Sequence, residues 1–165
     1  SKLLAIPYAS FYRTIPKIQE LLEVKTIGRA KIIHLKPINP LIKSYLIISS
    51  EEEKKVFLQK QPLIKKIYSE INTSEIILLF GSYAKGKETS KSDIDLLIIN
   101  KQGKKTLSFS KYELLFHKKI NPLFITPQEL TSMLLDKEEN IGKQVLKNHV
   151  ILNNTEAFWR LVYGI

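Results

Sequence analysis

The chain has 165 residues, 44% of them apolar and 25% charged, with no cysteine and a formal net charge of +10. That length allows one ordinary domain or two small ones; the lack of cysteine excludes disulfides and thiolate metal sites and fits a cytoplasmic protein; no apolar run approaches the ~20 residues of a membrane helix, and no signal-peptide pattern is present. The charge is uneven: residues 1–48 hold eight Lys or Arg against two Glu, a local +6, whereas residues 49–165 carry only +4.

Such a basic first third favours a polyanion such as nucleic acid, unless it is only a solvated face. The chain opens on Ser1 rather than Met, so the first element is expected to be cut. Residues 3–22 read as helical, with Leu3, Leu4 and Ile6 before Pro7 and then Phe11, Ile15, Ile18, Leu21 and Leu22 at helical spacing. Pro16 kinks this helix or opens a new first turn. Val24 to Ile27 and Ala30 to Leu35 read as two strands joined by a Gly28-Arg29 turn. Helix then basic hairpin, in the wording Tyr8-Ala9-Ser10-Phe11-Tyr12-Arg13 and Gly28-Arg29-Ala30-Lys31-Ile32-Ile33-His34-Leu35, resembles the recognition helix and wing of winged helix-turn-helix DNA-binding domains. A complete domain of that kind has further helices ahead of Ser1. The resemblance implies that Arg13 and Lys17 face the DNA major groove and that Arg29 and Lys31 touch phosphates. The alternative is a helix and hairpin that only pack on the next domain. His34 is read as an ordinary strand residue.

Pro37 to Pro40 forms a turn-rich joint, and Leu41 to Ile48 fits helix or strand equally. Ser50-Glu51-Glu52-Glu53 reads as a capping box opening a helix. Its apolar stripe runs through Val56, Phe57, Ile64, Ile67, Tyr68 and Ile71, with Pro62 as a kink or second start. Glu75 to Phe80 is a short buried strand. Gly81 permits a sharp turn close to a ligand, and Ser82 to Lys85 can start a helix whose free N–H groups suit phosphate oxygens. Asp93 and Asp95 open a second apolar strand and project from one face, followed on that face by Leu97 and Ile99. Two carboxylates beside such a turn suit Mg²⁺ on a nucleoside triphosphate, because Mg²⁺ takes hard oxygens from one or two carboxylates plus phosphates.

Gly81-Ser82-Tyr83-Ala84-Lys85-Gly86, six residues, then Asp93-Ile94-Asp95-Leu96 resembles the signature of the polymerase-beta-type nucleotidyltransferases, in their minimal nucleotidyltransferase branch. The resemblance implies an α+β domain of mixed sheet and flanking helices, preceded by the winged-helix-like segment. It implies that Gly81 and Ser82 hold the beta and gamma phosphates of an NTP, that Lys85 contacts phosphate or acceptor, and that Asp93 and Asp95 bind Mg²⁺ (or Mn²⁺) and carry catalysis. The family has a third carboxylate on the following strand. Here that strand is Lys119-Ile120-Asn121-Pro122-Leu123-Phe124-Ile125, and the matching position is Asn121, which supplies neither charge nor a base. Glu113 is the nearest upstream acid.

Lys104 to Lys118 reads as helix followed by loop or strand. Thr126-Pro127-Gln128-Glu129 caps a helix to about Asp136, Glu138 to His149 is another, and Asn153-Asn154-Thr155-Glu156 caps a last helix holding Trp159. The organisation expected is 1–48 winged-helix-like, 49–72 connecting, 73–165 nucleotidyltransferase. The leading function is Mg²⁺-dependent nucleotidyl transfer from an NTP to an acceptor. The competing one is a DNA-binding regulator or antitoxin-like protein with a weak transferase fold, acting with a protein partner or as a homodimer.

Overall fold

The computed structural model describes residues 7–28, 30–36 and 39–164, apart from the side chains of Tyr8 and Phe11. Arg29, Leu3, Leu4, Ile6 and Pro37 therefore lie outside the described residues. The chain divides into two compact units, Ser1–Tyr45 and Leu46–Ile165. No helix among the described residues is long and apolar enough to cross a membrane.

In the first unit, helix α1 (Tyr8–Thr14) gives way to a 3-10 helix (Ile15–Leu21), with Ile18 outside helical backbone angles. Residues 3–22 are thus not one helix. Pro16 has no N–H to donate and its ring crowds the preceding turn, so the α-helix stops ahead of it. Arg13 and Lys17 consequently stand on different helical segments. Strands β1 (Leu22–Ile27) and β2 (Ala30–Leu35) form the expected antiparallel hairpin, with Leu22 opposite Leu35 and Ile27 opposite Ala30. Gly28 sits at its turn with φ +59, a conformation that costs glycine nothing.

Helix α2 runs unbroken over Pro40–Lys60. Its start is set by Asn39, whose side-chain oxygen accepts the Leu41 N–H at 3.0 Å, with Pro40 in the first position. Ser50-Glu51-Glu52-Glu53 therefore opens no helix. Nothing upstream breaks the helix, and the side chains are engaged elsewhere: Ser50 is buried and accepts from Trp159 Nε1 at 3.0 Å, while Glu51 accepts from Thr155 and pairs with Lys54 at 2.7 Å. Pro62 begins helix α3 (Pro62–Glu70), because the residue before proline, Gln61, is held out of the helical region (φ −123, ψ 75).

The second unit is built on a mixed sheet of order β5-β4-β3-β6. Its strands are β3 (Ile76–Phe80), β4 (Ile94–Ile99), β5 (Ile120–Ile125) and β6 (Val150–Asn153). β3 is antiparallel to β4 and β6, and β4 is parallel to β5. The run of Ile and Leu without polar alternation is explained by helices on both faces. One face packs Ile77, Leu79, Ile94, Leu96 and Ile98 against Leu58 of α2, Ile64 and Ile67 of α3, Tyr83, and Tyr112 of helix α5 (Ser110–Phe116). The other packs Ile76, Leu78, Leu97, Ile99 and Ile125 against helices α6 (Pro127–Leu135), α7 (Ile141–Lys147) and α8 (Thr155–Val162), through Leu130, Val145 and Phe158. Each such side chain contributes about 1.5–3 kcal/mol on burial. Trp159 is part of this packing, edge-on to Phe158 at 5.0 Å. His149, wedged against Phe158 at 5.1 Å, has its pKa lowered by burial.

Thr126 makes the complete capping box with Glu129 at the start of α6. The last helix differs from expectation. Asn154 stands at its N-cap with φ +57 and makes no capping bond, because its amide donates instead to Ser74 O at 2.6 Å. The helices in 104–118 and 138–149 are short, seven residues each, ended by left-handed His117 and by Asn148.

Candidate active site

Three registered rows cross the face of the sheet covered by α6, α7 and α8. The first is Ile76–Ile99–Ile125, the second Leu78–Leu97–Leu123, and the third Phe80–Asp95–Asn121. The rows turn from apolar to polar at the last step, because the third lies at the lip where β3 ends and β4 begins. Asp93 and Asp95 point to the same face, as strand alternation requires, and Asn121 stands beside them because β5 runs parallel to β4 in that register.

The Asn121 amide nitrogen donates to Asp93 Oδ2 at 3.2 Å and to Asp95 Oδ1 at 3.2 Å. Two carboxylates from two positions thus converge on one point. Lys119 Nζ lies 3.9 Å from Asp93 Oδ2, on a side chain that is 69% exposed, so water screens that pair.

Gly81 ends β3 and starts the single-turn helix α4 (Gly81–Ala84) with φ +72. A Cβ at Gly81 would stand 2.2 Å from Asp95 Oδ2, so only glycine lets the turn come this close to the carboxylate. No side chain caps the start of α4, and among the described residues none hydrogen-bonds the Ser82 hydroxyl. Tyr83 is buried beneath the turn, and burial followed by the nearby Glu88 charge raises its pKa.

Lys85 stands at the other end of the turn. It lines a cleft of about 650 Å³ with Lys60, Gln61, Glu52 and Glu53, in which burial raises the Glu53 pKa. Gly81, Asp93, Asp95 and Asn121 are therefore brought together, and Lys85 faces α2. Glu113 does not join them, since its Oε1 accepts the Ile120 N–H at 2.9 Å. Among the described residues no group of three or more His, Cys, Asp or Glu could hold a metal ion.

Sequence reasoning passed over Lys118. Its ammonium takes the carbonyls of Thr89 (3.4 Å), Ser90 and Ser92 (3.4 Å), tying down the loop that delivers Asp93. Lys118-Lys119 directly before a strand was the visible signal. Its meaning depended on β5 lying parallel to β4, which a sequence does not state.

In the first unit Arg13, Lys17 and Lys31 are exposed, and Lys31 Nζ lies over the Tyr12 ring, 5.8 Å from its centre. That contact brings the hairpin beside α1.

A family model described as "Polymerase beta, Nucleotidyltransferase" matches residues 62–157, more than half of the chain and the whole lip described above. No curated protein and no solved structure matches the chain.

Proposed function

The chain belongs to the polymerase beta nucleotidyltransferase family, and from that premise we propose that it transfers a nucleotide from an NTP to an acceptor hydroxyl at the Gly81–Asp95 lip, with Mg²⁺ or Mn²⁺ held by Asp93 and Asp95. The observation that carries this reading is the convergence of Asp93 Oδ2 and Asp95 Oδ1 on one point, 3.2 Å each from the same nitrogen, against a glycine backbone with no room for a side chain. Hard oxygens in that number fit Mg²⁺, whose remaining ligands come from phosphate and water. Bound there, the ion supplies neutralisation of the charge on the phosphates and on the leaving pyrophosphate.

The residues of the chain do the rest by positioning. Gly81 and Ser82 receive beta and gamma phosphate oxygens at the uncapped start of α4. Lys85 contributes charge at the far side of the turn, and Lys118 keeps the Asp93 loop in place. The acceptor oxygen forms its bond to the alpha phosphorus as the bond from that phosphorus to the bridging oxygen breaks, and pyrophosphate carries away the electron pair. Asn121 cannot take the hydroxyl proton, since an amide is no base at neutral pH, so the proton passes to water. Isothermal titration of ATP with Mg²⁺ tests the reading. Asp93→Ala and Asp95→Ala are expected to lose metal-dependent binding while unfolding as the parent does. Unchanged binding in the double variant sinks the assignment.

A second reading concerns the basic first unit, and the exposure of Arg13 on α1, Lys17 on the 3-10 helix and Lys31 on the hairpin favours it. We propose that this unit binds DNA in the manner of a winged helix, with Arg29 as a further phosphate contact. Four contacts to duplex phosphates give a slope of log affinity against log salt of about −3 to −4. An Arg29→Ala, Lys31→Ala variant should make it shallower by about two. Weak binding that ignores the variant would leave the basic surface as a solvated face.

A further inference from the structure

The amide of Asn121 sits at the point where the two carboxylates converge. Both acceptors are acceptor-only groups, so the nitrogen end must face them, and both of its protons are spent, one on Asp93 and one on Asp95. The trio carries two formal negative charges and a neutral donor between them. A divalent cation entering at that point meets the positive end of the amide dipole, and the amide nitrogen, whose lone pair is delocalised, cannot ligate it. For the ion to settle on both carboxylates, the Asn121 amide must turn over or leave, breaking two hydrogen bonds to charged acceptors. Asp95 cannot yield in its place, because its Oδ2 is packed on the Gly81 backbone, where a Cβ would approach to 2.2 Å. Asp95 is also held in register between β3 and β5. The movable member is Asn121, on the edge strand.

We infer that Asn121 is a positioning residue that makes metal uptake conditional on the nucleotide. Without nucleotide, the amide occupies the cation's place. A bare hydrated ion offers two carboxylates too little to displace it, since Mg²⁺ sheds water reluctantly. An ion already on a triphosphate arrives with phosphate ligands in place of several waters, so the pair together turns the amide and exposes its carbonyl oxygen as a third hard ligand. An aspartate at this position would instead complete a three-carboxylate site that loads metal alone. The inference rests on the proposed nucleotidyl-transfer site and concerns the order in which that site fills.

The test uses the whole chain and Mn²⁺ read by electron paramagnetic resonance, which counts free ion directly. The parent is expected to bind Mn²⁺ alone only weakly, and Asn121→Ala, which removes the occupying donor, on the order of tenfold tighter. Asn121→Asp should be tighter still, by roughly a hundredfold over the parent, through an added carboxylate. In the ¹⁵N-labelled parent, the Asn121 side-chain amide resonances should be unmoved by millimolar Mg²⁺ and displaced when a non-hydrolysable ATP analogue is added with it. Asn121→Ala binding Mn²⁺ no better than the parent would overturn the inference, as would amide resonances that move with Mg²⁺ alone. If the parent takes up no nucleotide with metal, the transfer reading fails, and the comparison of Mn²⁺ alone still decides what the amide does.

Discussion

At one end of the β3–β4 pair, Asn100 follows β4 and is 9% exposed; at the other, Asn121 stands beside Asp95. Asn100 donates to Lys104 O (2.9 Å) and Thr106 Oγ1 (3.2 Å) and accepts from Gln102 N–H (3.1 Å). Asn153 donates to Thr73 O and Glu75 O nearby, at 2.9 and 2.7 Å. At that end amides meet neutral partners, and the result is a closed knot that pins loops to the sheet. At the lip the same chemical group meets two carboxylates, and their charge is left over. A satisfied neutral amide is structural. A neutral amide shared by two anions leaves their charge uncompensated, which is what the proposed metal site requires.

The sharpest way to break this comparison is at two glycines with nearly the same backbone. Gly81 has φ +72 and Gly86 φ +62, but nothing lies within 4 Å of a Cβ built on Gly86. Both alanine variants incur the left-handed cost, about 1–2 kcal/mol. Only Gly81→Ala also drives into Asp95 Oδ2, so nucleotidyl transfer or metal-dependent ATP binding should fall on the order of 10²–10³-fold there. Gly86→Ala should stay within about twofold of the parent. Equal loss in both would mean that backbone strain, not the approach to Asp95, is what the site feels.

A second contrast sets the two asparagines against each other in stability. Asn100→Ala removes three part-buried hydrogen bonds and should cost about 2–3 kcal/mol in denaturant unfolding. Asn121→Ala should cost under about 1 kcal/mol, because water reaches the lip and resolvates both carboxylates. A larger cost at Asn121 than at Asn100 would show that the lip amide is a structural tie after all.

The lip was legible because its parts lie close in the chain. A glycine that ends an apolar run and two acids at alternate strand positions define a face without any tertiary knowledge, and Asn121 was reached by matching a motif on the next strand. What was not legible came from distance. Ser50-Glu51-Glu52-Glu53 has the wording of a helix start, yet Trp159 and Thr155, more than a hundred residues on, take up its side chains within α2. Asn154 in the same way serves Ser74 rather than its own helix. Lys118 looked like one more surface lysine until parallel pairing set it beside the Asp93 loop. Within residues 3–22 the break was local and in view, since Pro16 opens a new helical turn as expected; only the strand start at Leu22 was missed.

The smallest effect concerns Glu113, the nearest acid upstream of the position where the third carboxylate is missing. β5 is an edge strand, and its carbonyls at Lys119 and Ile125 turn inward to β4, accepting from Ile94 and Asn100. Even-numbered residues therefore present their backbone outward, where an edge invites another strand. Two devices blunt it: Pro122 has no N–H to offer, and Glu113 covers that of Ile120 at 2.9 Å. On this account Glu113 serves the edge and not the metal. Glu113→Ala should lose about 1 kcal/mol of stability, the worth of one hydrogen bond to a charged acceptor that water partly replaces. Its metal-dependent ATP binding should match the parent within error of calorimetry, in contrast to Asp93→Ala and Asp95→Ala. If Glu113→Ala instead abolished that binding, the third carboxylate would be Glu113 swinging over the end of β5, and Asn121 would have to give up its place at the convergence point.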